Sequence, residues 1–267
     1  MVGGSQVNVS AFAATDIGLV RRTNEDAFVV ASLDGGRWRG SEPETFDASE
    51  GVLLAVSDGM GGAKAGEVAS ALAIDVVRKA MVAARKSEKL ATSHDRKRAL
   101  VRAVERASLR VHEAGKKPGR QGMGATLTVA LVHGKEVLIA QVGDSRAYLL
   151  RGEKLRRMTR DQSYVQMLVD AGIMTTEEAE RSPRRNIIMQ VMGQKSVRAE
   201  VTELTLEKND RLLLCTDGLT TVVDEETLSA IARSPAPLDI VSKNLVALVR
   251  DGGAPDNVTV IAAELSM

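Results

Sequence analysis

Aliphatic positions follow two rhythms along this chain. Short, nearly continuous apolar runs bounded by turn residues predict strands at "VNVSAFAATDIG", "DAFVVAS", Val52–Val56, "ATLTVALVH", "EVLIAQVG" and "RAYLLRG". "VTELTLEKNDRLLLCTDGL" resumes strand character and "DNVTVIAAEL" closes the chain. Longer stretches repeat near every fourth residue and predict helices. The first runs from Ala65 to Lys86 with Leu72, Val76, Val77 and Met81 on one face. The second runs from Asp95 to Glu113, capped by Ser93 or Thr92, and ends at Gly115. Asp34–Gly51 reads as a polar loop. Asp161–Gly193 turns helical, with capping-box spacing between Thr175 and Glu178. Helices near Glu225–Arg233 and Leu238–Val249 follow. Strands therefore arrive in runs with helices in pairs between them, which predicts an α+β layered domain with mostly antiparallel strands. No fixed-period repeat and no long linker divides residues 1–267, so one domain with a core of about 7–265 is expected.

Composition narrows the function classes. The 267 residues are 44% hydrophobic and 27% charged, with a formal net charge of +1, so no global field favours nucleic acid or an anionic membrane. Aromatics at 2% leave few stacking platforms for single-stranded nucleic acid. Cys215 is the only cysteine, which fits a reducing compartment. No apolar run reaches membrane-spanning length, and "MVGGSQVNVS" lacks a basic region followed by an apolar core. A cytoplasmic soluble protein is the expectation.

Acidic residues stand where apolar strands end. Asp58, Asp144 and Asp217 each follow an aliphatic run, Asp256 opens the last one, and Glu25 and Asp26 open another. Each alone is an ordinary turn residue. The acids at these five strand ends, if the ends converge, would repel one another without a cation. His94, His112 and His133 lack zinc-ligand spacing, and Cys215 has no partner cysteine. An oxygen-only set suits Mg²⁺ or Mn²⁺. Gly59 after Asp58 would let a backbone carbonyl join the ligands. Two such ions, roughly 3.5–4 Å apart, would share a bridging carboxylate and a water, as in a hydrolase site.

Competing chemistries lack their residues. "DGMGGAKAGE" does not match G-x-G-x-x-G, no G-x-x-x-x-G-K-[ST] occurs, and "GDSRA" lacks the second glycine of a serine-hydrolase elbow. Thr221 stands where a cysteine phosphatase would need arginine after Cys215, so Cys215 reads as core. Arg21, four residues before Glu25, is suited to bidentate phosphate binding.

Taken in order, "R-x-x-N-E-D" from Arg21, "DGMGG" from Asp58, "GMGATL", "GDSR", "TDGL" and "DNVTV" resemble the metal-dependent serine/threonine protein phosphatases of the PPM (type-2C) family, in its bacterial branch. The resemblance runs from about Val7 to Leu265. It implies a four-layer αββα sandwich of two antiparallel sheets flanked by helix pairs, with metals at one end. It implies that Asp58 bridges two Mn²⁺ or Mg²⁺ ions, with the Gly59 carbonyl, Asp217 and Asp256 completing the set. Asp144 matches a third-metal position, and Glu25 and Asp26 match positions that orient metal-bound water. Arg21 matches the phosphate clamp, and Ser163–Gly193 a mobile flap. The implied partners are phosphorylated proteins made by a serine/threonine kinase, cleaved by a bridging hydroxide without a phosphoenzyme.

Met60 stands where animal members carry a histidine proposed as general acid. Many bacterial members also have histidine where this chain has Gln162 or Ala63. Neither departure removes a metal ligand. A catalytically silent binding module and a phosphohydrolase of small phosphoesters are the rival readings.

Overall fold

In a computed structural model, residues 7–38, 40–61 and 65–266 are described; Ala63 and the last glycine of "DGMGG" lie outside them. The chain opens with strands β1 (Asn8–Asp16), β2 (Ala27–Ser32), β3 (Glu44–Asp47), β4 (Val52–Ser57) and β5 (Gly59–Met60). Helices α1 (Ala65–Lys86) and α2 (Ser93–Gly115) precede β6 (Gly124–Ala125), β7 (Leu127–His133), β8 (Glu136–Val142), β9 (Arg146–Arg151) and β10 (Lys154–Arg157). After α3 (Tyr164–Asp170) and α4 (Thr176–Arg181) come β11 (Glu200–Thr205) and β12 (Arg211–Cys215). The chain then forms α5 (Asp217–Thr220), α6 (Glu225–Ala232), α7 (Leu238–Asp251) and β13 (Val258–Ser266).

Two antiparallel sheets result, ordered β10-β9-β12-β13-β1-β3 and β11-β8-β7-β4-β2. The apolar run of β4 is continuous rather than alternating because both of its faces are covered. Val52, Leu54 and Val56 face the other sheet, among Val9, Ala11, Ile261 and Ala263. Leu53 and Ala55 face α1 and α2. β13 divides the same way, with Ile261, Ala263 and Leu265 between the sheets and Val258, Val260 and Ala262 under α5–α7. Helix, sheet, sheet, helix is the layer order, as expected. Each fully buried aliphatic side chain contributes roughly 1.5–3 kcal/mol.

The buried stripe of α1 is rotated from the predicted one. Ala65, Ala69, Ala73, Val77 and Met81 are buried at a spacing of four, whereas Leu72 and Val76 are half-buried on its flank. Small residues let the helix axis approach the sheet closely, so alanines rather than the larger aliphatics mark the inner face. Thr92, not Ser93, caps α2: its hydroxyl accepts from the Asp95 amide at 3.1 Å. β3 and β10 escaped prediction because both are four-residue edge strands that are largely exposed. "VTELTLEKNDRLLLC" is two strands in different sheets, with Asn209 at φ 67° in the crossover between them.

Candidate functional site

Register places every predicted acid at one pole of the sandwich. Ala27 pairs with Ser57 and Leu127 with Val142, so Glu25, Asp26, Asp58 and Asp144 leave one sheet together. Cys215 pairs with Val260, so Asp217 and Asp256 leave the other sheet at matching ends. Threonines join the two groups. Thr216 and Thr259 both donate to Asp26 Oδ2, at 2.9 and 2.7 Å. Asn257 Oδ1 accepts from the Glu25 amide at 2.8 Å, while its Nδ2 donates to the carbonyls of Ile17 and Thr23. Sequence reasoning did not assign these side chains, although each lies within three residues of a predicted acid.

The turns themselves are built by close packing. The Asp58 amide donates to Thr126 Oγ1 at 2.9 Å and its carbonyl accepts from the Thr126 amide at 2.8 Å. β5 then pairs with β6, and the Gly59 amide donates to the Glu25 carbonyl at 3.1 Å. A Cβ on Gly59 would sit 2.2 Å from the Gly66 carbonyl, so this glycine is needed for the approach of α1. Gly218 is similarly fixed, since its Cβ would meet the Asn257 carbonyl at 1.9 Å. That contact holds the Asp217 turn against the Asp256 turn.

Charge is crowded here and largely desolvated. Burial, then the charges of Asp217, Asp26, Asp256 and Asp144, hold the Asp58 carboxyl well above the usual carboxylate range. Burial and Asp217 push Asp144 up to about 8, against the opposing pull of Arg146. Asp26 is pushed up to about 7 by burial, with the Thr259 and Thr216 hydroxyls opposing. Asp217 and Glu25 are also raised, each chiefly by burial. Arg21 stands beside them as a cation: its Nη2 lies 2.6 Å from Asp256 Oδ2, and 54% of its side chain is exposed.

Do these residues fit divalent cations? Asp26 Oδ1, Asp144 Oδ1 and Asp217 Oδ1 are buried without a hydrogen-bond partner. Unpaired carboxylate oxygens in a repelling, all-oxygen cluster are the donor chemistry of a hard cation. Among the described residues, no three acidic, histidine or cysteine side chains are already drawn together as a finished chelate. Asp256 is instead drawn to Arg21. The donors fit.

Cys215 is remote from this chemistry in character. It is 1% exposed, and burial pushes its thiol up to about 12. Cys215→Ala is expected to leave phosphate release unchanged and to lower stability by about 1 kcal/mol, read by turnover and thermal denaturation. Loss of turnover in a folded variant would require a covalent thiol mechanism. Met60 is half-buried in β5, paired with Gly124, and its thioether has no proton to give.

Fold and site together define a helix-clad double-sheet sandwich whose two sheets deliver oxygen donors to a shared pole. The profile of the family described as protein phosphatase 2C matches residues 43–247, and the chain belongs to that family. It is similar to the serine/threonine protein phosphatase PstP of Mycobacterium tuberculosis, 37% identical over 95% of this chain and 44% of that protein. The chain thus spans less than half of PstP. Protein phosphatase PhpP of Streptococcus pneumoniae is 32% identical over 94% of this chain and 96% of its own length. The crystal structure of the PstP catalytic domain in complex with two manganese ions superposes with a TM-score of 0.78 at 34% identity, covering 98% of this chain and 100% of that one. No described helix is long and apolar enough to cross a membrane.

Proposed function

We propose that this chain is a metal-dependent protein phosphatase acting on phosphoserine and phosphothreonine. The observation that carries the reading is the cluster of buried, mutually repelling carboxylates with unpartnered oxygens, beside Arg21, in a chain of this family. Solved structures with the same sandwich are named serine/threonine phosphatases, and one holds two manganese ions. Asp58, the Gly59 carbonyl, Asp217 and Asp256 would hold two Mn²⁺ or Mg²⁺ ions, and Asp144 a third. Bound divalent ions supply Lewis acidity toward phosphoryl oxygens and acidify water at neutral pH.

The chain's own residues do the rest. Arg21 has guanidinium donors left over from its Asp256 contact, and these orient the phosphoryl oxygens. Asp26 is fixed at Oδ2 by two threonines, which leaves Oδ1 to align water and take its proton. Glu25 is held through its backbone at both the amide and the carbonyl, so its carboxyl is carried at a set place beside Asp26. Residues 7–265 serve as one catalytic unit, with 163–193 as a flap. The substrates are phosphoproteins produced by a serine/threonine kinase in the cytoplasm, where a lone cysteine stays reduced. Intact Asp58, Asp217 and Asp256 argue against a silent binding module.

The test is phosphate release from phosphoserine and phosphothreonine peptides with Mn²⁺ or Mg²⁺ added. No release at any metal concentration by the folded protein overturns the reading. Arg21→Ala is expected to raise KM for phosphopeptide by about tenfold or more while kcat falls less, because a charge-assisted contact is worth about 1.5–3 kcal/mol. An unchanged KM would place Arg21 outside phosphate binding.

A further inference from the structure

The turn carrying Asp144 is clasped by a glutamine that no part of the chemistry above uses. Gln162 is 8% exposed. Its Oε1 accepts from the Gly143 amide at 2.9 Å, and its own amide donates to the Gly143 carbonyl at 3.0 Å. Both backbone groups of Gly143 are therefore held by this one residue. Gly143 itself adopts φ +101° directly before Asp144, a conformation with few other residues available to it. The far side of the same turn is braced by Gln141, whose Nε2 donates to the carbonyls of Gly143 and Ser145, each at 3.1 Å.

Gln162 also faces the other way. Its carbonyl accepts from the Met189 amide at 2.7 Å, and its Nε2 reaches toward the Arg198 carbonyl at 3.5 Å. The next residues continue the link, with Ser163 bridged to Ile188 and the Tyr164 amide donating to the Ile187 carbonyl at 2.8 Å. Both ends of segment 163–193 thus meet at Gln162. Beyond them, Met192 exchanges hydrogen bonds with Ala125, whose strand β6 pairs with β5 beside Asp58. The side-chain amide thus links the Gly143 turn to Arg198 while the backbone carbonyl of the same residue holds Met189, and an apolar side chain of that length could not satisfy the Gly143 amide.

We infer that Gln162 is a positioning residue that locks the Asp144 turn to the base of segment 163–193, so that the two shift together. The kinetic arm of this inference rests on the phosphatase reading; the mechanical arm does not. The near-isosteric Gln162→Met variant removes the acceptor for Gly143 and leaves the backbone bonds available. Hydrogen exchange of the full chain, with and without Mn²⁺, is expected to quicken about fivefold or more at Gly143 and also at Met189, whose own bond is to unaltered backbone. With a phosphoserine peptide, kcat is expected to fall about fivefold or more while KM stays within about twofold. Gln162→Asn, which keeps the amide but shortens its reach, should give the same pattern and serves if the methionine variant does not fold. Faster exchange confined to Gly143 would reduce Gln162 to a local brace and overturn the coupling. Unchanged kcat with both amides loosened would overturn its role in catalysis. If the wild-type protein releases no phosphate, the phosphatase reading fails, while the exchange at Met189 still decides the coupling.

Discussion

Asp58→Asn is expected to abolish phosphate release and to lose the tight divalent sites with it. Asparagine keeps the shape, and the backbone bonds to Thr126 that fix this turn do not involve the altered oxygen. What disappears is the central charge that Asp217, Asp26, Asp256 and Asp144 all act upon. If the ions supply several kcal/mol of transition-state stabilisation, their loss lowers turnover by about a thousandfold or more. Asp144→Ala provides the contrast, because Asp144 leaves a different strand end: two tight sites should survive in a titration by calorimetry while turnover slows. Loss of the tight pair there would move Asp144 into the central cluster, and undamaged turnover would make it a turn residue only. Asp58→Asn should also raise the melting temperature in EDTA, since it removes repulsion from a buried cluster. A metal-free variant no more stable than wild type would mean that the crowding is already relieved.

Chelation should act on stability as well as on activity. EDTA is expected to stop phosphate release, and full activity after exhaustive metal removal would sink the divalent-ion reading. The metal-stripped protein should lose stability as pH rises. Asp26 near 7 and Asp144 near 8 hold protons more tightly in the folded state than an ordinary carboxyl near 4 does in the unfolded chain. Their contribution is therefore full below about pH 4 and is lost as pH climbs through 7 and 8, on the order of a few kcal/mol. Saturating Mn²⁺ should reverse the slope, because cations bind the deprotonated cluster and stabilise only the folded form. Thermal denaturation at pH 5 and pH 8, in EDTA and in Mn²⁺, reads both slopes. Stability that increases with pH in EDTA would contradict the raised carboxyls.

Legibility of the chain followed burial. β4, β7, β8 and β13 were plain because they are covered on two faces, so their sequences are aliphatic without interruption. β3 and β10 bury too little to leave a pattern, and the two-residue β5 and β6 exist only through their pairing of Gly59 with Ala125 and Met60 with Gly124, far apart in the chain. The acids at the strand ends could be named from sequence because aspartate after an apolar run is conspicuous. Thr216, Thr259 and Asn257 could not be given roles, since a hydroxyl or amide acquires a partner only when two sheets meet. Gly59 was read as freedom for a carbonyl, and the packing of Gly66 against it, which also demands glycine there, has no signal in the sequence. Gln162 was noticed only as a departure from histidine; its clasp on Gly143 depends on a turn 19 residues away.

The pairing of the first and last strands has a practical consequence for handling the molecule. Asn8 lies opposite Ser266 at one end of the β1–β13 ladder, while Asp16 lies opposite Val258, next to Asp256, at the other. Eight strand steps of about 3.3 Å put roughly 26 Å between those ends. A leash, resin or fluorescent protein joined at residue 8 or 266 would therefore leave by the pole facing away from Asp58 and leave the acidic pole open to a bulky phosphoprotein. The same adjacency makes circular permutation straightforward: a short linker from 266 to 8, with new ends cut in the exposed turn at Gly152 and Glu153 between β9 and β10, would keep every strand register intact.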